Sequence, residues 1–267
     1  MNKPLFLSTL KSKYKLILIC SAALVFYSVV IISMFDPNNA ESSKQFMQML
    51  PEGMVKALGF TVLDPGLTAF LGTTMYSMPY MLFMIIFTLI AANSLIAKNV
   101  DRGSMACYLS TPVSRTKVAA TQGSILILGQ IIMAALLTVL SILASMSMVG
   151  NEALAVGAFI KVNVMGLLLF FVIGAYSFLF SCVFNDEKYS ISFSAGLTLV
   201  FYVMNAVRNM SKDLSWINKI NIFGAFNPAK IINGSVDLLP TSIFFICIGV
   251  VLYGLSIIIF NKKDLPL

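Results

Sequence analysis

The chain has 267 residues, of which 58% are hydrophobic and only 11% charged, and its mean hydropathy is +0.91. A soluble domain carries about 25% charged residues, so the composition excludes an ordinary water-soluble fold and points to an all-α integral membrane protein. Eighteen Lys plus Arg against eleven Asp plus Glu leave a formal charge of +7 with no His at all; the basic residues flank apolar runs instead of forming a patch, which argues against nucleic acid, and the missing His removes His-dependent triads and His-ligated zinc.

Taken in chain order, residues 3 to 15 place Phe6, Leu10 and Tyr14 at i, i+4 and i+8 beside Lys11, Lys13 and Lys15, the pattern of a helix lying at a membrane interface. An apolar stretch follows over 16–35. It succeeds lysines as a signal peptide would, but it is long for that role and no small-x-small site closes it, so it reads as a retained helix. A membrane crossing needs about 20 apolar residues, and five further charge-free stretches satisfy that: 65–97, 118–151, 162–185, 189–207 and 238–261. The expected spans are 16–35, 73–97, 118–148, 162–184, 189–207 and 240–260, with Pro79 and Gly174 as tolerable kinks. The whole chain is one six-span transmembrane domain; no repeat or separate soluble domain is visible.

Orientation follows from Lys and Arg. With the N-terminus in the cytoplasm, eleven basic residues face inside and seven outside, while only Asp101, Asp186, Glu187 and Asp264 of the acids lie inside, so the entire net charge of +7 faces the cytoplasm. The expected location is a bacterial plasma membrane, with both termini inside. None of Cys20, Cys107, Cys182 and Cys247 falls in an external segment, which makes an exported disulfide unexpected; the four are read as small apolar fillers.

Ionisable groups within spans usually mark ion or proton pathways, and here the spans hold essentially none. Neutral polar residues remain, among them Asn93, Gln122, Gln130, Asn163, Asn205, Tyr76, Tyr80, Tyr176, Tyr202 and Tyr253, a composition that suits interhelical hydrogen bonding. No G-x-x-x-x-G-K-[ST] phosphate loop is present. Any vectorial work therefore draws its energy from a separate subunit docked on the cytoplasmic face, where the one sizeable loop is 98–117.

In that loop Met105, Tyr108 and Leu109 share one helical face, one turn after Asp101 and Arg102. Gly103 allows the backbone to turn where the second span ends. Ser110 or Thr111 offers an N-cap and Pro112 suits the first turn of the next helix. On the outer side, Trp216, Ile217, Ile220, Ile222, Phe223 and Phe226 are too apolar for water, so 208–237 is expected to form short helices dipping into the outer leaflet over the exit path, turning at Asn227-Pro228.

The run Asp101-Arg102-Gly103-Ser104 followed by Leu109-Ser110-Thr111-Pro112-Val113-Ser114-Arg115 resembles the cytoplasmic signature of ABC-2 type transporter permeases. Ser104 stands where Thr is common in that signature, and Cys107 where a larger aliphatic is usual. Residues 3 to 15 are similar to the family's interfacial elbow helix, and 220–230 is similar to its aromatic-then-Asn-Pro segment before the last span. The resemblance implies that Asp101, Arg102, Gly103, Met105, Tyr108, Leu109 and Arg115 form a coupling helix for an ATP-binding subunit. It further implies an exporter in which two permease subunits, identical or related, enclose the substrate path, while ATP and Mg sit on the partner and this chain binds no cofactor and catalyses nothing. Trp216, Phe223, Phe226 and Pro228 would belong to the exit segment. Without charged pore residues the expected cargo is amphipathic or hydrophobic, and sixteen Met and twenty-one Phe could line an adaptable path. The competing reading is a non-transporting membrane scaffold or immunity protein that sequesters a peptide at the outer face; an ATP-binding-cassette gene beside this one would separate the two.

Overall fold

A computed structural model describes residues 3–35, 66–106, 113–150, 153–210 and 221–263. The described elements are helical: α1 (Lys3–Ser33), α2 (Leu67–Ser77), α3 (Pro79–Leu95), α4 (Ala97–Asp101), α5 (Arg115–Met148), α6 (Val156–Val183), α7 (Glu187–Met210), a 3-10 turn (Ile222–Ala225), α8 (Pro228–Ile232) and α9 (Leu238–Lys262). Six bodies are long and apolar enough to cross a membrane: α1, α3 with α4, α5, α6, α7 and α9. In hydrocarbon every backbone N–H and C=O must find a partner within the protein, and a helix supplies that within one segment.

The ends of the helices follow local chemistry. The Asp237 carboxylate accepts from Leu239 N–H at 3.2 Å to start α9, and Asn227 Oδ1 accepts from Lys230 N–H at 3.1 Å to start α8. Gly150, at φ +134°, closes α5 by donating to Ser145 O at 3.1 Å. With 34 residues, α5 is about 51 Å long, more than the roughly 30 Å of hydrocarbon, so both ends project.

Two boundaries differ from the sequence reading. Residues 3 to 15 are helical but run without a break into the first span as α1, so they form no separate elbow. The second span does not begin at 73: helix α2 stops at Ser77, Met78 takes φ −132° and ψ −55°, and α3 begins with Pro79. Proline carries no N–H for the carbonyl of residue 75 and its ring clashes there, and a hydropathy pattern apolar on both sides of the break cannot reveal it. Helix α2 packs instead on α8 and α1, with Gly72 close against the end of Ile232.

Helix α6 is the centre. It packs most extensively on α9 and also against α3, α5 and α7. Along one face run Asn163, Gly166, Phe170, Gly174, Ser177 and Ser181, all buried, spaced three or four apart so that they stay on one side of the helix. The missing side chains at the glycines are filled by neighbours: Tyr80 over Gly166, Gln130 and Tyr253 over Gly174. Helix α7 is the least buried span, and Phe193, Leu199, Val200 and Val203 face outward.

A Cβ at Gly166 would lie 2.5 Å from the Tyr80 hydroxyl. Tyr80 cannot retreat, because its ring is boxed by Tyr76 at 4.9 Å, Phe170 at 5.7 Å and Phe226 at 6.5 Å between centroids. Gly166→Ala is therefore expected to destabilise the fold by about 1–3 kcal/mol through overpacking. At Gly157, where an added Cβ meets nothing within 4 Å, alanine is expected to be neutral or to stabilise by about 0.4–1 kcal/mol. Thermal melts of the two variants in the same detergent check the pair, and equal midpoints would show that the seam is loosely packed.

Candidate functional site

The segment expected to dock a partner begins where α3 kinks. After Leu95, Ile96 leaves the helical region (φ −123°, ψ −68°) and α4 restarts the chain for five residues. The kink is stitched to α6, since Ala97 N–H donates to Ser181 Oγ at 2.9 Å. Asn99 folds back to donate to Leu95 O at 2.9 Å, and Ser104 Oγ donates to Asn99 O at 3.2 Å. Gly103 takes φ +69°, a conformation only glycine adopts freely, and its N–H caps Val100 O at 3.0 Å. As a result Asp101, Arg102 and Gly103 stand exposed at the tip.

Two expectations for this segment need correcting, and part of it lies outside the described residues. Met105 is fully buried within this chain and offers no surface to a partner, because the turn at Gly103 sends it inward. The N-cap of α5 is Ser114, not Ser110 or Thr111: Ser114 is extended (φ −66°, ψ 147°) and its Oγ accepts from Lys117 N–H at 3.4 Å. Tyr108 and Leu109, with Ser110, Thr111 and Pro112, lie outside the described residues.

Around the segment, charged side chains tie several helices together at one end of the bundle. Lys98 Nζ lies 3.1 Å from Glu187 Oε1, and Asn93 Nδ2 donates to the same oxygen at 3.3 Å. The N–H of Glu187 donates to Asp101 Oδ2 at 3.4 Å, and Lys13 Nζ donates to Ser94 O at 3.5 Å. Arg115 is engaged inside the chain as well: its Nη1 donates to Lys263 O at 2.7 Å, while Lys263 Nζ donates to Cys182 O at 3.0 Å. Sequence reasoning did not single out Glu187 or Lys263. The available signal was positional, an acid in the first turn of a helix and a base just past the end of one.

Between the helices several polar residues form hydrogen bonds that cross from one helix to another. Gln130 Nε2 donates to Phe170 O at 2.8 Å and to Thr88 Oγ1 at 3.2 Å; Gln122 Nε2 donates to Thr9 Oγ1 at 3.4 Å. The hydroxyls of Ser28 and Ser141 lie 2.6 Å apart, as do those of Tyr176 and Thr198. These contacts join α1 to α5, α5 to α3 and α6, and α6 to α7, the role of interhelical glue.

A groove of about 410 Å³ opens between α3 and α7, lined by Met78, Met81, Ile86 and Leu89 on one side and Gly196, Leu199 and Tyr202 on the other. Its size falls within the usual range for small-molecule sites. The described part of the 208–237 segment after residue 220 lies beside it and turns its aromatic rings onto the bundle. Phe223 and Phe226 are buried, Phe223 edge-on to Tyr202 at 5.8 Å and Phe226 stacked on Tyr80 at 6.5 Å. Asn221 holds the turn in place by donating to Phe201 O at 2.8 Å. Buried aromatic rings gain more from packing on the bundle than from facing lipid, which is as apolar as they are. Pro228 opens α8 at its first position, and Trp216 lies outside the described residues.

A family model described as ABC-2 family transporter protein matches residues 6–265. The chain belongs to this family. It is a multi-pass membrane protein and the permease component of an ABC transporter. No curated protein matches the chain.

In this ABC-2 permease Lys263 is strongly affected by its surroundings, since burial pulls its amine down from 10.5 to about 8. Between those values an unfolded chain keeps the proton that the folded chain has released, so the folded state gains stability as pH rises through that window. Amine-reactive labelling across pH, read residue by residue by mass spectrometry, is expected to give Lys263 a midpoint near 8. A midpoint near 10.5 would place the amine in water, away from Cys182 O.

Proposed function

We propose that this ABC-2 permease is the membrane-spanning subunit of an ATP-driven exporter of amphipathic or hydrophobic substrates. It pairs with a second permease subunit, and a separate ATP-binding subunit holds ATP and Mg. The observation that carries the reading is the exposed tip Asp101-Arg102-Gly103, held out from the bundle by a helix kinked at Ile96 and tied to α6. Rigid presentation of a short segment is what a docking partner requires. The apolar groove between α3 and α7 supports the class of cargo, because a polar solute would leave buried polar groups unmatched there. The bundle end that carries Lys98, Arg115, Lys188 and Lys263 is assigned to the cytoplasm on the basic-residue bias.

Tyr108 and Leu109 are assigned as the apolar anchors for the ATP-binding subunit, with Asp101 and Arg102 as rim charges that tune docking. Co-purification of the ATP-binding subunit with wild-type and Leu109→Asp permease tests this, with ATP turnover measured alongside. The variant is expected to insert normally, lose on the order of 1 to 3 kcal/mol of association, and lower substrate-stimulated turnover. Met105→Ala is expected to behave differently, reducing permease stability by about 2–5 kcal/mol through a core cavity without a specific docking defect. Equal recovery of the ATP-binding subunit with wild type and Leu109→Asp would remove the docking assignment.

Orientation has its own test. With a membrane-impermeant thiol reagent on intact cells, Asn233→Cys is expected to label and Lys188→Cys to label only after permeabilisation; both side chains are exposed at opposite ends of the bundle. The reverse pattern would invert the topology.

A further inference from the structure

Segment 97–106 leaves the bundle at one end of α3 and is joined there to α7 through Glu187, the first residue of that helix. Three contacts converge on this residue: Lys98 Nζ at 3.1 Å and Asn93 Nδ2 at 3.3 Å on its carboxylate, and Asp101 Oδ2 at 3.4 Å accepting from its N–H. Lys13 lies beside the pair, close enough to interact with both Lys98 and Glu187. The two side chains are about a third exposed, 35% and 27%, and such an ion pair contributes little to folding. It fixes position instead, linking the base of the exposed tip to the end of one particular helix.

That helix is the one least held by the bundle. Its other attachments are to α6 and the residue that follows it, through the Tyr176–Thr198 hydroxyl contact at 2.6 Å and the stacked Phe184 and Phe193 at 4.8 Å, and to α3 and α4, on which it packs directly beside the groove. Farther along, it is held by Asn221 and Phe223 at the turn before α8. Between α7 and α3 the space is the apolar groove, walled by Ile86 and Leu199 among others. A displacement of the tip would therefore pull on the first turn of α7 as well as on α6 at Ser181, and of these two helices α6 is the more firmly held, through its extensive packing on α9.

We propose that Glu187 is a positioning residue for transport: through the ion pair of its carboxylate with Lys98 it carries movement of the docking segment into α7 and so sets the width of the α3–α7 groove, whereas the Asp101 contact is to its backbone N–H and is retained when the side chain is removed. The proposal rests on the reading of 98–109 as the docking segment. Nucleotide bound at the partner subunit would then change the separation of α3 and α7, and the change would depend on the ion pair without depending on which side chain carries which charge. Reversing the pair is electrostatically permitted, since a lysine at 187 would face Asp101 and a glutamate at 98 would face Lys13.

The test uses the full permease with its co-purified ATP-binding subunit, spin-labelled at Ile86→Cys and Leu199→Cys with the native cysteines replaced. The inter-label distance is measured by pulsed electron resonance without nucleotide and with a non-hydrolysable ATP analogue. The wild-type pair is expected to show a nucleotide-dependent shift. Glu187→Ala is expected to recover the ATP-binding subunit within about twofold of wild type yet lose the shift, and the double variant Lys98→Glu/Glu187→Lys is expected to regain it. A shift that persists unchanged in Glu187→Ala would overturn the proposal, as would a lost shift that the double variant fails to restore. If the ATP-binding subunit does not accompany even the wild-type permease, the docking reading itself has failed, and the unvaried complex reveals this separately.

Discussion

The close approach of aromatic and amide side chains to the backbone of α6 governs how the rest of this bundle assembles. Lipid is as apolar as leucine, so helices in a membrane associate through packing and hydrogen bonding, with little hydrophobic drive. At Gly166 and Gly174 the backbone is bare, and Tyr80, Gln130 and Tyr253 fill the space. Once Gln130 is there, its amide reaches both Phe170 O and Thr88, which fixes the relative height of α3, α5 and α6. Tyr80 in turn makes the platform on which Phe226 stacks, so the turn before α8 takes its place from the same seam.

The charged end of the bundle obeys a different rule. Side chains such as Lys98, Glu187, Arg115 and Lys263 sit where water and protein meet, so each interaction is modest in strength but specific in direction. Several of them end on backbone carbonyls: Arg115 on Lys263 O, Lys263 on Cys182 O, Lys13 on Ser94 O. Carbonyls in the last turn of a helix have no partner within it, and a long basic side chain from a neighbouring helix is well suited to reach them. The basic residues that bias membrane insertion thus also close the ends of α6 and α9.

Much of this was readable from the chain alone. Six uninterrupted apolar stretches gave the number of spans, because in lipid the length requirement and the absence of charge are both strict. What escaped was everything decided between helices. Nothing local distinguishes Met105 from Leu109 as inward or outward, since the choice is made by the turn at Gly103 and by what α4 packs against. Arg115 looked like a docking residue because its position in the motif is known while its partner, Lys263 O, lies 148 residues away. Pro79 was visible as a kink, yet whether a proline bends a helix or ends it depends on neighbours able to hold the two halves apart. The elbow failed for a related reason: Phe6, Leu10 and Tyr14 suit an interface, but Thr9 on the adjoining face meets Gln122 of α5, a partner that the local sequence does not show.

The break at Met78 also divides responsibilities at the start of the second span. Helices α2 and α3 are two rigid pieces joined at one residue with no proline N–H to knit them. Helix α2, seated on α8 and α1, therefore sets Tyr76 against Tyr80 along a line of its own, and imposes no bend on the helix that walls the groove.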